Sequence, residues 1–317
     1  MPAEPAQAPR PRRRRHDPSP PADPVVPPAP SPIDLHAHSR RSDGVLEPAE
    51  LVHAAAACGV ATFALTDHDT LAGYRELVAA GSIPPSVELI AGVEINAIVR
   101  EEIGLWEGEL HVLGLGMDPE NEGFEATLVA QRGRRAERFE RTVRRLAELG
   151  MPIDAQLAAF PTTEGDALGR PIVGRALVAT GHAASVEDAF QRLIGRGCPA
   201  YIPRDGLGPV DAIRAIRAAG GLPVLAHFAE APSRESLVRE LIVAGLGGLE
   251  VFYRTFDRPT VDAMRAFAQA SSLVETGGSD YHGDTGSYAA AHAMLWVPAE
   301  VADGVHRAGV VGSHRQP

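Results

Sequence analysis

Short apolar runs alternate with helical patterns along this chain from Ile33 onward. This alternation is typical of parallel strands joined by crossover helices. Seven strands in this rhythm favour a barrel over two separate sheets. We therefore predict an α/β fold, a seven-stranded (β/α)7 barrel, with strands at residues 33–36, 62–66, 88–95, 110–115, 222–227, 248–252 and 273–277.

Two stretches depart from this alternation. Residues 1–31 are rich in proline, alanine and arginine and have almost no large apolar side chains, so we predict a disordered tail. Residues from about 119 to 200 contain three helical patterns and no convincing strand, which indicates a helical insertion. We expect the rest of the chain, residues 32–317, to form one domain that carries this insertion.

The composition argues against two classes of function. No apolar run approaches the roughly 20 residues that a membrane-spanning helix needs, so no membrane role is expected. A formal net charge of −11 argues against a protein that coats nucleic acid, because that mode of binding needs a broadly basic face. The two cysteines, Cys58 and Cys198, lie far apart in sequence and suggest free thiols, and we expect a cytoplasmic protein.

Metal-capable side chains occur where the predicted strands end. In extended chain, His36 and His38 point to the same face, as two ligands of one ion must. Asp43 follows in a Ser-Asp-Gly turn, close enough to fold back over the end of the strand. The other strand ends, and the start of the fourth strand, supply His68, Glu94, His111, His227, Asp280 and His282.

This placement predicts one shared site. Loops from separate strands converge at the C-terminal mouth of a β/α barrel, which is where sites are built. Chance does not readily place six of the twelve histidines, with carboxylates beside them, at successive strand ends. The remaining histidines are expected to bind no metal; they are His16, His53, His182, His292, His306 and His314.

The ordered motifs resemble those of the PHP (polymerase and histidinol phosphatase) superfamily. They are Asp34-x-His36-x-His38, Ser42-Asp43-Gly44, Thr66-Asp67-His68-Asp69, Gly92-Val93-Glu94, Ala226-His227 and Gly278-Ser279-Asp280-x-His282-Gly283. Six motifs in the same order, within residues 33–283, make the resemblance specific. The chain looks most like the stand-alone members that hydrolyse nucleoside 3′,5′-bisphosphates or trim short RNA from the 5′ end, which also carry a helical insertion.

The resemblance implies a distorted seven-stranded, TIM-like barrel that binds three divalent ions, Mn²⁺, Zn²⁺ or Fe²⁺. The implied ligand sets are His36, His38, Glu94 and Asp280 for the first ion, Asp43, His68 and His282 for the second, and Glu94, His111 and His227 for the third. Glu94 would bridge two ions. Closely spaced divalent ions lower the pKa of a bridging water and orient a phosphate for in-line attack, so no protein nucleophile is required.

The same resemblance assigns roles in catalysis and substrate binding. Asp43 and His68 are expected to take part in catalysis, and Asp67 is expected to orient histidines from behind. Arg135 and Arg138 lie one helical turn apart and resemble a pair that relatives use to hold the phosphate that is not cleaved. Arg170 resembles an arginine that reaches the substrate. The expected partner is a small phosphorylated molecule, a nucleotide, with short RNA as the alternative.

Two positions depart from the pattern of the family. Ile172 stands where relatives usually have a histidine, which would be a natural donor to the substrate or leaving group. Phe228 stands where proline normally follows the Ala-His motif, and its expected effect is confined to the pocket wall. The first departure therefore bears on the identity of the substrate.

The main hypothesis is a metal-dependent phosphatase that cleaves a phosphate monoester of a small nucleotide, of the nucleoside 3′,5′-bisphosphate type, with metal-activated hydroxide. The enzymatic alternatives are a 5′-3′ exoribonuclease acting on short RNA and a histidinol-phosphate-type phosphatase. The arginine-bearing insertion suits a doubly phosphorylated ligand better than histidinol phosphate. A metal- or nucleotide-binding module that has lost catalysis is the alternative from another class, and Ile172 is its only sequence hint.

Overall fold

Seven strands follow one another in chain order around one sheet. They are β1 (Ile33–Asp34), β2 (Thr62–Leu65), β3 (Glu88–Ile98), β4 (Glu109–Leu115), β5 (Leu222–Leu225), β6 (Gly248–Tyr253) and β7 (Val274–Gly278). The computed structural model describes residues 30–99, 109–158 and 165–312, so the predicted tail lies outside the described residues except for its last two positions.

The sheet closes because β1 also lies beside β7. The amide of Leu35 donates to the carbonyl of Gly277 at 3.0 Å, and Ala37 pairs with Tyr281 in an isolated bridge. Each of the seven described strands therefore has a neighbour on both sides, as closure into a barrel requires. The predicted seven-stranded α/β barrel is confirmed.

The direction of β4 differs from the prediction of parallel strands throughout. This strand runs antiparallel to both β3 and β5, whereas the other neighbouring pairs of the sheet are parallel. Only the ten residues 99–108 separate β3 from β4, and a parallel crossover needs about a dozen or more. The start of β4, rather than its end, therefore lies beside the end of β3.

Helices lie between the strands and form the insertion. In chain order they are α1 (Pro48–Ala57), α2 (Ala72–Ala80), α3 (Glu122–Glu148), α4 (Asp154–Leu157), α5 (Arg170–Ala179), α6 (Val186–Ala189), α7 (Pro209–Ala218), α8 (Glu235–Ala244), α9 (Arg258–Ala270), α10 (Tyr288–His292) and α11 (Glu300–Arg307), with a π-helical turn at Phe190–Ile194 and a 3-10 turn at Ala231–Arg234. Between β4 and β5 the described residues contain helices and no strand, so the predicted helical insertion is confirmed.

The long helix α3 connects the barrel to the insertion. The side chain of Asn121 accepts a hydrogen bond from the amide of Phe124 and caps its first turn. Phe124 and Leu128 pack in the barrel core, whereas Leu146 packs in a separate core within the insertion. Buried positions recur every three or four residues along this helix, as expected for a helix with one buried face. They are Phe124, Leu128, Gln131, Arg135, Arg138, Thr142 and Leu146.

Among the described residues, no helix combines the length and the apolar character needed to cross a membrane.

The last strand approaches the first one so closely that the contact requires glycine. A Cβ atom on Gly278 would lie 2.3 Å from the Cβ atom of His36 and 2.5 Å from its backbone nitrogen. Two residues later, the amide of Asp280 donates to the carbonyl of His36 at 2.6 Å. Contact between the two backbones thus fixes the end of β7 against the segment that follows β1.

Replacing Gly278 with alanine is expected to destabilise the protein. The added methyl group must displace backbone atoms, and overpacking of this kind costs about 1–3 kcal/mol. Thermal and denaturant unfolding measure the change. The matched control is Gly133→Ala on the exposed face of α3, where an added Cβ meets nothing within 4 Å; it should stabilise by up to about 1 kcal/mol. Equal stability of the two variants would contradict the close approach.

Candidate metal centre

The nine side chains predicted as metal ligands come together at the mouth of the barrel. Their ligand-capable atoms form three overlapping groups, and within each group all of these atoms lie within 4.8 Å of one another. The groups are His38, Asp43, His68 and His282; His36, His38, Glu94 and Asp280; and Glu94, His111 and His227. They match the sets implied by the resemblance, except that His38 also joins the group around Asp43.

Glu94 lies at the centre of the cluster and is fully buried. Its Oε1 atom lies 2.5 Å from His111 Nδ1 and 3.3 Å from His227 Nε2. Its Oε2 atom lies 3.0 to 3.4 Å from ring nitrogens of three other histidines. These are His36, His38 and His68. One oxygen of this carboxylate thus faces the group of His111 and His227 and the other faces histidines of the two remaining groups, which is the arrangement that a bridging ligand needs.

Several buried polar atoms of the cluster have no hydrogen-bond partner among the described residues. They are His36 Nε2, His38 Nε2, Asp43 Oδ1, His68 Nδ1 and Glu94 Oε2. Most buried polar atoms in proteins are hydrogen-bonded, and each orphan costs about 1–3 kcal/mol. Imidazole nitrogens and carboxylate oxygens that converge in this way are a donor set for borderline divalent cations. The residues present therefore fit such cations.

The charges of the cluster compensate one another in the metal-free protein. Burial favours the neutral form of His38, but the carboxylates of Asp280 and Glu94, 3.2 and 3.1 Å from its Nε2 atom, outweigh it and raise the pKa of His38 to about 10. Burial also opposes ionisation of Glu94, yet the charges of His111 and other nearby histidines hold the pKa of this carboxyl well below its usual value. The carboxylates therefore stay charged, and His38 carries a proton that a metal must displace.

Binding of a divalent cation is accordingly expected to release protons. A histidine must be neutral to act as a ligand, so the apparent affinity should rise with pH until the pH passes the His38 pKa of about 10. In the metal-free protein the same shift adds stability that is complete below pH 6.5 and is lost as the pH rises through about 10. Calorimetric titration with Mn²⁺ in two buffers of different ionisation enthalpy counts the protons. A count of zero would contradict a protonated cluster.

Glu250 is a buried carboxylate that the sequence analysis missed. Its Oε1 atom lies 3.0 Å from His36 Nδ1, and its Oε2 atom accepts a hydrogen bond from the amide of His227 at 2.7 Å. A proton held on Nδ1 leaves Nε2 of His36 directed at Glu94 and Asp280. Glu250 therefore positions residues of two different groups. The signal was present, because a charged residue within the apolar run of β6 needs a buried partner.

The Glu250→Gln variant keeps the size of the side chain and removes its charge. We expect an affinity for divalent cations lower by about 10- to 100-fold, since outer partners of metal-bound histidines contribute that much. Metal content after dialysis and calorimetric titration measure the loss. Glu275→Gln serves as the control, because Glu275 bonds Arg265 near the opposite end of β7. The positioning role would be refuted if both variants bound metal as the parent does.

Asp67 is a buried carboxylate that contacts two serines beside the metal cluster. Its carboxylate accepts hydrogen bonds from the amide and hydroxyl of Ser39, at 2.8 and 2.6 Å, and from the hydroxyl of Ser42 at 2.6 Å. These serines flank the turn that carries Asp43. Asp67 therefore fixes the backbone of this turn. Ser42 Oγ also lies 3.5 Å from His38 Nδ1, so Asp67 is linked to an imidazole ring of the cluster through Ser42, and its expected role in orienting histidines stays a prediction.

The arginines expected to bind the substrate lie beside the cluster. Arg135 donates to Asp69 Oδ2 at 2.5 Å and to Asn96, whose amide contacts the ring of His111. A Cβ atom on Gly169 would lie 3.2 Å from Asp43 Oδ2 and 3.6 Å from Arg135 Nη1, so Arg135 lies close to a predicted metal ligand. The arginine side chains thus lie directly beside the metal-capable side chains.

Arg138 and Arg170 share a partner in Glu109. Arg138 Nη1 lies 3.9 Å and Arg170 Nη2 3.8 Å from Glu109 Oε1. Arg204, which the sequence analysis missed, lies 3.2 Å from Glu109 Oε2. Arg204 follows the insertion in a segment without helix or strand, where no periodicity could indicate which way its side chain points.

Ile172 is buried in the first turn of α5, and its side chain offers no polar atom to a substrate.

Comparison with known proteins establishes the family. Residues 34–153 match the model of the PHP domain. The chain is 35% identical to the 5′-3′ exoribonuclease of Haemophilus influenzae over 255 residues, which cover 78% of this chain and 89% of that protein. The chain belongs to the PHP family. This PHP protein is also 30% identical to the 3′,5′-nucleoside bisphosphate phosphatase of Chromobacterium violaceum over 254 residues, 79% of this chain and 87% of that protein.

A solved structure agrees with this identification. A proposed metal-dependent phosphoesterase from Bifidobacterium adolescentis superposes on the PHP protein with a TM-score of 0.75 and 31% identity, over 90% of this chain and 98% of that one. The predicted metal-dependent phosphoesterase is therefore confirmed as a class of enzyme, and the alternative of a binding module without catalysis is set aside.

Proposed function

We propose that this PHP protein hydrolyses one phosphate ester of a nucleotide that carries a second phosphate, of the nucleoside 3′,5′-bisphosphate type. The observation that carries the proposal is the contact between two sites: a cluster of metal-capable side chains and, next to Asp43, a group of buried arginines. One site suits the ester that is cleaved, and the other suits a phosphate that is retained. The named activity of the Chromobacterium violaceum relative supports this assignment.

In this proposal the nine clustered side chains hold three ions of Mn²⁺, Zn²⁺ or Fe²⁺. Such ions would supply Lewis acidity to phosphate oxygens and lower the pKa of a bound water. Glu94 holds two groups of ligands together, and Asp43 and His68 belong to a group that lies close to Arg135. Asp67 and Glu250 act through the residues that they position. Burial of the cluster strengthens the electrostatic interactions among these charges, because little water screens them.

The 5′-3′ exoribonuclease is the second candidate, because a relative with this name shares 35% identity with the chain. A short 5′-phosphorylated RNA also presents a terminal phosphate next to an ester that can be cleaved. Histidinol phosphate fits less well, because its single phosphate would be the one at the metal cluster and would leave no second phosphate to contact the arginines. The cytoplasmic location expected from the sequence stays a prediction, and both cysteines are free thiols.

The test is a substrate panel with the metal-reconstituted protein. The panel contains adenosine 3′,5′-bisphosphate, adenosine mononucleotides, short 5′-phosphorylated RNA and histidinol phosphate. We expect the bisphosphate to have the highest kcat/KM. His68→Ala and Asp280→Ala should each lower it by at least about 100-fold with little loss of folding, since losing a ligand costs no less than losing its outer partner.

The matched control is His53→Ala, because His53 is an exposed histidine on α1 whose ring lies 2.7 Å from the carbonyl of Ala49 in its own helix. It should leave kcat/KM unchanged, and circular dichroism should show that all three variants fold. Near-full activity of His68→Ala or Asp280→Ala on several esters would refute the metal assignment. A preference for RNA over the bisphosphate would favour the second candidate.

A further inference from the structure

Four arginines surround two buried carboxylates beside the metal cluster, and we call this group the arginine pocket. It consists of Arg135, Arg138, Arg170 and Arg204 with Asp69 and Glu109. Arg204 is the member that contacts both carboxylates, with Nη2 3.2 Å from Asp69 Oδ2 and Nη1 3.2 Å from Glu109 Oε2. Nothing in the sequence pattern assigned Arg204 to a site.

The pocket has more positive than negative charge. Its four guanidinium groups face two carboxylates, which leaves two positive charges without a counter-charge in the pocket itself. Asp43 also lies near Arg135, but it belongs to the metal cluster, where three histidines compensate its charge. Arg132 lies nearby but does not change this balance, because it pairs with Glu125 at 2.7 Å. The side chains of Arg135, Arg138 and Arg204 are at most 9% exposed, so water does little to compensate.

One buried donor of the pocket is unused. Arg138 Nη2 has no hydrogen-bond partner among the described residues, although Nε of the same side chain donates to the carbonyl of Ile202 at 2.9 Å. Burial, together with the charge of Arg170, lowers the pKa of Arg138 to about 9. Burial and the charge of Arg135 likewise lower the pKa of Arg204 to about 10. Both arginines stay charged at neutral pH, and an anion would relieve their mutual repulsion.

We propose that Arg204 completes a site for a terminal phosphate monoester, and that it makes the enzyme select a doubly charged phosphate over a singly charged one. This inference rests on the proposed function, because the terminal phosphate would be the one that the reaction retains. A phosphate monoester carries about two negative charges at neutral pH, whereas a phosphodiester carries one. The two uncompensated positive charges of the pocket match the former. The selected class is therefore a nucleotide whose retained phosphate is unesterified at its other oxygens.

The test compares three substrates that differ only at the retained phosphate. After product analysis identifies that phosphate in adenosine 3′,5′-bisphosphate, kcat/KM is measured for the parent compound, for its methyl ester and for the analogue with a hydroxyl group there. Arg204→Ala is expected to lower kcat/KM about 100-fold for the dianion and less than about 3-fold for the others, because truncating one partner of a buried charge pair is costly. Arg204→Lys should lose about 10-fold, since a point charge cannot fork to two partners.

Arg145→Ala is the matched control, because Arg145 is a more exposed arginine on the same helix α3 and pairs with Glu148. It should leave all three values unchanged. Thermal unfolding checks that the variants fold. If Arg204→Ala does not fold, the kcat/KM values of Arg204→Lys provide the test. The inference is overturned if Arg204→Ala or Arg204→Lys lowers kcat/KM by the same factor for all three substrates. It is also overturned if the parent protein has the same kcat/KM for the dianion and for its methyl ester.

A binding measurement separates this inference from the proposed function. The probe is the nucleoside monophosphate that retains the terminal phosphate, titrated calorimetrically into the metal-free protein. Binding that Arg204→Ala weakens about 100-fold supports the pocket, even if no ester is hydrolysed and the proposed function fails. If the protein hydrolyses the bisphosphate but Arg204→Ala does not weaken binding of the monophosphate, the proposed role of the arginine pocket is refuted and the proposed function is not. Inorganic phosphate that binds as tightly as the monophosphate also overturns it, because the site would then recognise free phosphate.

Discussion

Burial of Glu94 is the constraint on which the rest of this structure depends. A carboxylate that is completely removed from water costs several kcal/mol unless charges and donors compensate it. No single strand can provide that compensation, since each strand end presents only one or two side chains to the mouth. The histidines around Glu94 follow β1, β2 and β5 or lie in β4, so the charge is satisfied only when the sheet has closed. The centre and the barrel therefore form together.

The mouth also concentrates the backbone strain of the molecule. Among the described residues, four non-glycine positions have a positive φ angle, and three of them, Asp69, His227 and Asp280, lie at the mouth; the fourth is Ser272. Such conformations cost of order 1–3 kcal/mol each and persist only where the surroundings fix them. Here the amide of His227 is held by Glu250, and the amide of Asp280 by the backbone of His36. Two of these strained residues, His227 and Asp280, are thus members of the metal cluster, and the third, Asp69, belongs to the arginine pocket.

Local periodicity explains which parts of this site the sequence could predict. Alternation along one strand places His36 and His38 on one face, and that follows from two residues without knowledge of the fold. The direction of β4 depends on which strands pair, so periodicity alone missed it, although the ten-residue connection before it was informative. Arg204 could not be found, because its partners Asp69 and Glu109 are distant in sequence and it lies outside any periodic element.

The arginine pocket is also the joint between the insertion and the barrel. Its arginines come from α3, α5 and the segment that follows the insertion, whereas Asp69 follows β2 and Glu109 begins β4. The ion pairs that dock the insertion are therefore the same groups that would contact a phosphate. A dianion that binds there adds negative charge between arginines that repel one another, and so strengthens the joint. The side chains proposed to recognise the substrate are consequently the same ones that hold the insertion against the metal centre.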